Sequence, residues 1–196
     1  RYVNEYDGVD GAFLRQFASF TNTVWTGPVN IAFRPNGNVL LAHCGGNQVL
    51  EYTFPDGVLV RTYSGGNLQC PAGLTIGPNG NLFVCSVGND KIMQFNTTTG
   101  AVIGDFVGQG SGGLDIPTDL AFGPNGNLFV SSYWTDSILE YNGANVAFVR
   151  AFVPSGGGGL VRPTGILFRP SLTPVPGNGD LNGDGHAETL TGPGPG

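Results

Sequence analysis

Residues 117–152 read PTDLAFGPNGNLFVSSYWTDSILEYNGANVAFVRAF. Apolar runs at 120–122, 128–130, 138–141 and 146–152 alternate with turn sequences. The first turn is Gly123-Pro124-Asn125-Gly126-Asn127. Proline presets φ, and Asn-Gly supplies the positive φ values that a two-residue hairpin needs. Further turns fall around Asp136 and at Asn142-Gly143. Four short strands joined by hairpins predict one antiparallel sheet, a meander.

The same text recurs along the chain. Turns of the form P-N-G-N start at Pro35, Pro78 and Pro124, 43 and 46 residues apart. A second column is Glu5-Tyr6, Glu51-Tyr52, Gln94-Phe95 and Glu140-Tyr141. A third ends the last strand of each unit at Phe17, Tyr63, Phe106 and Phe152. A four-stranded unit repeating every 40–50 residues predicts an all-β chain folded as a β-propeller of antiparallel blades. One blade cannot bury both of its faces alone, so neighbours stack and share cores.

The predicted strands, in the order a to d within a blade, can be placed by number. Strand a falls at 29–34, 72–77, 118–123 and 164–169, and strand b at 38–43, 81–87 and 127–132. Strand c falls at 2–6, 49–54, 91–96 and 137–142, and strand d at 12–17, 58–63, 101–107 and 146–153. The expectation is three complete blades plus a fourth that is split and incomplete. Its strands c and d open the chain, its strand a closes the repeats, and its strand b is not evident. Pro170, Pro174 and Pro176 disfavour a central strand there. The domain expectation is therefore propeller repeats over 1–170 and a Pro/Gly-rich tail over 171–196. On strand a, Ile31, Leu74, Leu120 and Ile166, with Phe33, Ile76, Phe122 and Phe168, are expected to be buried between blades, since alternate residues share a face.

Composition narrows the function. The chain has 196 residues, 11% charged, a net charge of −6 and one lysine, Lys91. No basic stripe exists to neutralise phosphates, which argues against nucleic acid as a partner. No apolar run reaches the roughly 20 residues needed to span a bilayer. No leader segment is evident, the expectation for a mature chain or one whose start lies upstream. Acidic pI, scarce lysine and abundant Gly, Asn and Thr suit an extracellular or cell-surface protein.

The repeat Pro117-Thr-Asp-Leu-Ala-Phe-Gly-Pro-Asn-Gly-Asn-Leu-Phe-Val130, followed by Asp136 and Ile138-Leu-Glu-Tyr141, resembles the NHL-type propeller repeat. It is similar also to repeats of streptogramin lyase-like proteins. These resemblances cover about residues 1–170 and imply the propeller fold. The lyase-like relatives carry catalytic His and Glu on loops. The histidines here are His43, at a strand end, and His186, in the tail, and neither falls in a recognisable catalytic motif.

The tail is a different text. Asp180, Asn182, Asp184 and Glu188 put side-chain oxygens at positions 1, 3, 5 and 9 of a loop with Gly185 at position 6. Hard cations such as Ca²⁺ take six to eight oxygens from a tightly curled loop. An EF-hand needs an acidic residue at position 12, where Thr191 stands. The shorter loop looks like the calcium loop of FG-GAP repeats, found in many bacterial surface proteins. That resemblance implies Ca²⁺ held by Asp180, Asn182, Asp184, the His186 carbonyl and Glu188. The alternative is an acidic tail.

Other residues stand out singly. Cys44 and Cys70 fall on one rim where neighbouring blades touch, a candidate disulfide in an oxidising compartment. The alternative is three free thiols. Cys85 aligns with Ala42 and Ser131, a small-residue column, and reads as a buried thiol. Asn47, Asp90 and Asp136 form a column at the b–c turns, best read as turn-capping side chains. Asn30 and Asp119, near the ring axis, are candidates to line a polar channel or bind an ion. Tyr133 and Trp134 are an exposed aromatic pair, either a contact platform for sugar or protein or a lid over the blade end. Asn96-Thr97-Thr98 is a glycosylation sequon.

Three functions fit these readings. The first is an extracellular structural or interaction protein, not an enzyme, that assembles with itself, into filaments or another homo-oligomer, through its incomplete blade. The second is a monomeric four-bladed module binding a glycan, small ligand or protein. The third is a streptogramin lyase-like enzyme.

Overall fold

The structure, a computed structural model, describes residues 2–20 and 27–168. The chain separates into two compact units, Arg1–Ile166 and Leu167–Gly196. The first unit opens with a two-stranded sheet, β1 (Tyr2–Tyr6) and β2 (Phe13–Ser19). Three four-stranded antiparallel sheets follow. The first blade is β3 (Pro28–Phe33), β4 (Val39–His43), β5 (Gln48–Tyr52) and β6 (Leu59–Tyr63). The second is β7 (Pro71–Ile76), β8 (Leu82–Ser86), β9 (Lys91–Phe95) and β10 (Val102–Val107). The third is β11 (Pro117–Phe122), β12 (Leu128–Ser132), β13 (Ser137–Tyr141) and β14 (Phe148–Val153). Each is an up-and-down meander, its strands neighbours in chain order.

The stacking of blades explains why strand b carries continuous apolar runs. All five residues of β4, β8 and β12 are buried. A strand with both faces covered loses the alternation of apolar and polar residues. Along β8, Leu82 and Val84 pack into a core with Leu40, Ala42, Val49 and Tyr63 of the first blade. Phe83 and Cys85, pointing the other way, join Leu120, Leu128, Val130 and Tyr141 of the third blade. The third core is smaller: Ala18 with Val39 and Leu41, flanked by Val3, Phe17 and Tyr52.

Pairing between strands c and d shifts register at one recurring place: at Glu5/Tyr6, at Glu51/Tyr52, at Gln94/Phe95 and at Glu140/Tyr141. A bulge adds local twist, so the outer strand of every sheet is bent at the same step of the repeat.

The P-N-G-N hairpins form, with different chemistry from the two-residue turn expected. The Gly126 N–H donates to the Gly123 carbonyl at 2.9 Å, and the Gly123 N–H donates to the Asn127 carbonyl at 2.9 Å. Pro124 and Asn125 therefore occupy the centre of the turn, and Gly126 alone has positive φ, +77°. This is the three-residue loop that follows a β-turn with a left-handed glycine. The Asn125 side chain accepts the Asn127 N–H at 3.1 Å. Asn36 and Asn79 repeat that bond at 3.1 Å in the other blades.

Two expectations fail for a common reason. Leu74 and Leu120 are buried, but Ile31 is 50% and Phe33 61% exposed. Ile76 and Phe122 are half-buried, as are Ile166 and Phe168. The face carrying Ile31 and Phe33 looks towards a sheet that has strands c and d and, among the described residues, no a or b to cover it. The expected strand at 164–169 is also absent over its described part: residues 163–168 join no ladder.

Candidate functional site

The Glu-Tyr column is a buried charge site. Glu51, 1% exposed, accepts hydrogen bonds from Arg34 Nη1 at 2.5 Å, Asn38 Nδ2 at 2.7 Å and the Tyr63 hydroxyl at 2.6 Å. Arg61 lies opposite on β6, its Nε 3.7 Å away. Burial alone would raise the Glu51 pKa. The bonds from Tyr63, Asn38 and Arg34 outweigh it and hold the carboxyl below its ordinary value. Glu140 repeats the site with Asn127 Nδ2 at 2.8 Å, Arg150 Nε at 2.7 Å and Asn125 Nδ2 at 3.0 Å. Glu5 pairs with Arg15 at 2.6 Å. In the second blade both charges go together: Gln94 stands opposite Gly104. Truncating one partner of a buried pair leaves the other uncompensated, which accounts for the joint replacement.

The Asx column is a latch between blades. Asn47, Asp90 and Asp136 all adopt left-handed backbone, with φ of 50°, 52° and 51°. Each Oδ1 accepts, at 2.8 Å, a backbone N–H from the segment leading to the next strand a: Cys70, Ile116 and Arg162 respectively. The expected turn cap is thus a longer-range tie. Asp90→Ala should lower the unfolding free energy by about 2 kcal/mol, through a lost buried-edge hydrogen bond and a left-handed alanine. Asp90→Asn should leave it within about 0.5 kcal/mol. Denaturant titration of the two variants checks this.

Beside the first and third latches, aligned repeat positions are joined in different ways. Cys44 and Cys70 form a disulfide. The aligned residues Val87 and Ile116 are apolar. In the third blade they are Tyr133 and Arg162, whose guanidinium carbon lies 5.7 Å from the ring centroid. Arg162 also sits 5.0 Å over the ring of Trp134, which is 53% exposed and packs edge-on to Tyr133 at 5.0 Å. Sequence reading singled out the aromatic pair and missed Arg162. Its alignment with Cys70 was the available signal.

The remaining candidates are separate. Cys85 is a free, buried thiol whose pKa is raised mainly by burial. Asp119 Oδ2 accepts the Ile166 N–H at 2.9 Å and so ties the segment after the third blade to β11. A Cβ on Gly73 would clash with the Asp119 backbone, so glycine there allows β7 and β11 to approach. Asn96 Oδ1 caps its own turn, accepting the Thr98 and Thr99 N–H groups at 2.9 Å. His43 is 6% exposed, with its ring 4.9 Å from that of Phe20. Neither ring nitrogen has a hydrogen-bond partner, and burial lowers its pKa. Among the described residues no acidic side chain is bonded to it. Asp180, Asn182, Asp184, His186 and Glu188 lie outside the described residues. Among the described residues no cluster of His, Cys, Asp or Glu could hold a metal.

The most open feature is the bare side of the first blade. Val29, Ile31 and Phe33 on β3 are 55%, 50% and 61% exposed. A groove of about 270 Å³ runs between β1 and β3, lined by Tyr2, Val3, Pro28, Val29, Asn30, Ile31 and Leu41. Asn30 is thus a groove wall. In the complete blades the equivalent place beside strand c is filled by strand b. Here the far edge of β1 has no neighbouring strand among the described residues.

Fold and sheet order define a β-propeller architecture built of four-stranded antiparallel blades. Solved structures agree. Streptogramin B lyase superposes with a TM-score of 0.62 at 14% identity, over 80% of this chain and 50% of that one. A catalytically inactive virginiamycin B lyase from Staphylococcus aureus with quinupristin gives 0.59 at 17%, over 76% and 49%. Hydrazine synthase from Kuenenia stuttgartiensis gives 0.55 at 18%, over 67% and 37%. The chain spans about half the length of the two lyases. At such identities the likeness is one of fold. No family model matches the sequence, and no curated protein does. Among the described residues no helix is long and apolar enough to cross a membrane.

Proposed function

We propose that this protein is an extracellular interaction module that associates with further copies of itself through the two-stranded sheet at the start of the chain. The observation that carries the reading is the β1 edge beside the apolar groove. An unpaired strand edge is a template for a strand from another chain, and strand addition is a common mode of association. Strand b residues elsewhere in the repeat are mostly apolar and all buried, so an incoming strand of that type would cover Val29, Ile31 and Phe33 while pairing with β1. The contact is head-to-tail. It gives a ring if the rotation closes and a filament if it does not. The Cys44–Cys70 disulfide supports an oxidising location. The expected result is a native particle larger than the 20.3 kDa chain, seen by light scattering and electron microscopy. Ile31→Asp should return it to monomers without loss of fold. Dispersed monomers of the native chain at high concentration would overturn the reading.

A further inference from the structure

A second concavity lies away from the β1 edge, at the hairpin ends of the second and third blades. It encloses about 360 Å³, within the usual range for small-ligand sites. Its floor is Phe83 and Phe122, ring centroids 5.0 Å apart and nearly perpendicular. Its rim carries Asn79 and Asn142, with Gly143 and Ala144 at the mouth.

The repeat provides an internal control. Between the first and second blades the aligned floor residues are Leu40 and Ile76, and the aligned mouth residues are Thr97 and Thr98. Thr97 is buried there, its hydroxyl donating to the Gly80 carbonyl at 2.7 Å. In the third blade Ala144 shortens the side chain at the mouth, the Gly126 carbonyl takes the place that a Cβ on Gly143 would fill, and aromatic rings replace the aliphatic floor. The aromatic floor therefore belongs to this joint and not to the one between the first and second blades.

The polar groups are specific in kind. None of the residues lining the cleft is charged. Glu140 lies beneath it, 2% exposed, neutralised by Arg150 at 2.7 Å and bonded to Asn125 and Asn127. Asn79 and Asn142 each use Oδ1 to accept backbone N–H groups of their own turns, Asn81 in one case, Ala144 and Asn145 in the other. Their Nδ2 donors make no hydrogen bond to a described residue. With their oxygens engaged and both residues lining the cleft, Asn79 and Asn142 leave two uncharged amide donors at its wall.

We infer that this cleft binds a neutral sugar unit, the C–H face of the ring resting on Phe122 and its hydroxyls accepting hydrogen bonds from Asn79 Nδ2 and Asn142 Nδ2. Aromatic surface beside uncharged amide donors suits a ligand that is apolar on one face and polyhydroxylated at its edge. A carboxylate-bearing sugar would find no cation there.

The test is a ¹⁵N-resolved NMR titration of the full chain with methyl glucoside, methyl galactoside, methyl mannoside and N-acetylglucosamine, with glucuronate as the charged control. At least one neutral sugar should shift the Asn79 and Asn142 side-chain amides and the Gly143 backbone amide, with a Kd of about 1 mM. The double variant Asn79→Asp/Asn142→Asp keeps the turn-capping oxygens and removes both donors. It should keep the melting temperature and weaken binding about tenfold. The inference is overturned if no sugar moves these signals, if the shifts centre on Tyr133 and Trp134, if the variant binds like the parent, or if glucuronate binds as tightly as the neutral sugars.

Discussion

Replacing Glu51 with alanine should lower the unfolding free energy by about 3–5 kcal/mol, the scale for breaking a buried pair by deleting one partner. The carboxylate is the common acceptor for Arg34, Asn38 and Tyr63. Without it the Tyr63 hydroxyl, on a fully buried side chain, and the half-buried Arg34 guanidinium lose their acceptor. Glu51→Gln keeps the shape and one acceptor oxygen, so it should cost less. The two variants also separate charge from packing by pH. The Glu51 pKa is lower folded than unfolded, so its stabilisation is complete above the ordinary glutamate value of about 4.3. It is lost as pH falls through the folded value. The stability gap between the parent and Glu51→Gln, measured by denaturant titration, should therefore narrow from pH 7 to pH 3. An unchanged gap would show that the charge contributes nothing.

Opening the Cys44–Cys70 bridge should be nearly as damaging. The cysteines are 26 residues apart in sequence, and a cross-link of that span restricts the unfolded chain by about 3.5 kcal/mol on the chain-entropy account. For a domain of this size that is a fall in melting temperature of about 10 °C. Reductant should produce the fall in the parent, whereas Cys70→Ser should start low and ignore reductant. Cys85, fully buried in the core between the second and third blades, should resist alkylation until the protein unfolds, so thiol counting can follow the bridge alone.

How much of this was legible in sequence depended on whether a signal was local. The P-N-G-N turns and the aromatic strand ends are local, and they placed the strands of the three complete blades to within two residues. The turn type is harder to read: Asn-Gly suggests itself as the central pair, whereas proline, with its fixed φ, claims the second position of the turn and pushes glycine to the end. Burial of Ile31 and Phe33 was misjudged because alternation reports which face a residue is on and not whether a neighbour covers it. The strand expected at 164–169 failed likewise, since a ladder needs a partner strand that no local motif supplies. The roles of Asn47, Asp90 and Asp136 needed the fold, because their bonds reach 23 to 26 residues along the chain. The calcium-type loop from Asp180 to Glu188 falls outside the described residues.

The alternation along β8 has a consequence for rearranging this molecule. Odd and even residues of one strand address different neighbours: Leu82 and Val84 the first blade, Phe83 and Cys85 the third. The two sides of a blade therefore carry separate sets, Leu74, Leu82, Val84, Met93 and Phe95 on one and Phe83, Cys85, Ile92 and Phe106 on the other. A chain built by copying the second blade in tandem would set Phe83, Cys85 and Phe106 of one copy against Leu74, Leu82, Val84, Met93 and Phe95 of the next, close to the Leu120, Leu128, Val130, Leu139 and Tyr141 that they meet in the third blade. The second and third blades thus offer near-equivalent faces to the blade before them, so a tandem copy of the second would preserve the chemistry of that joint.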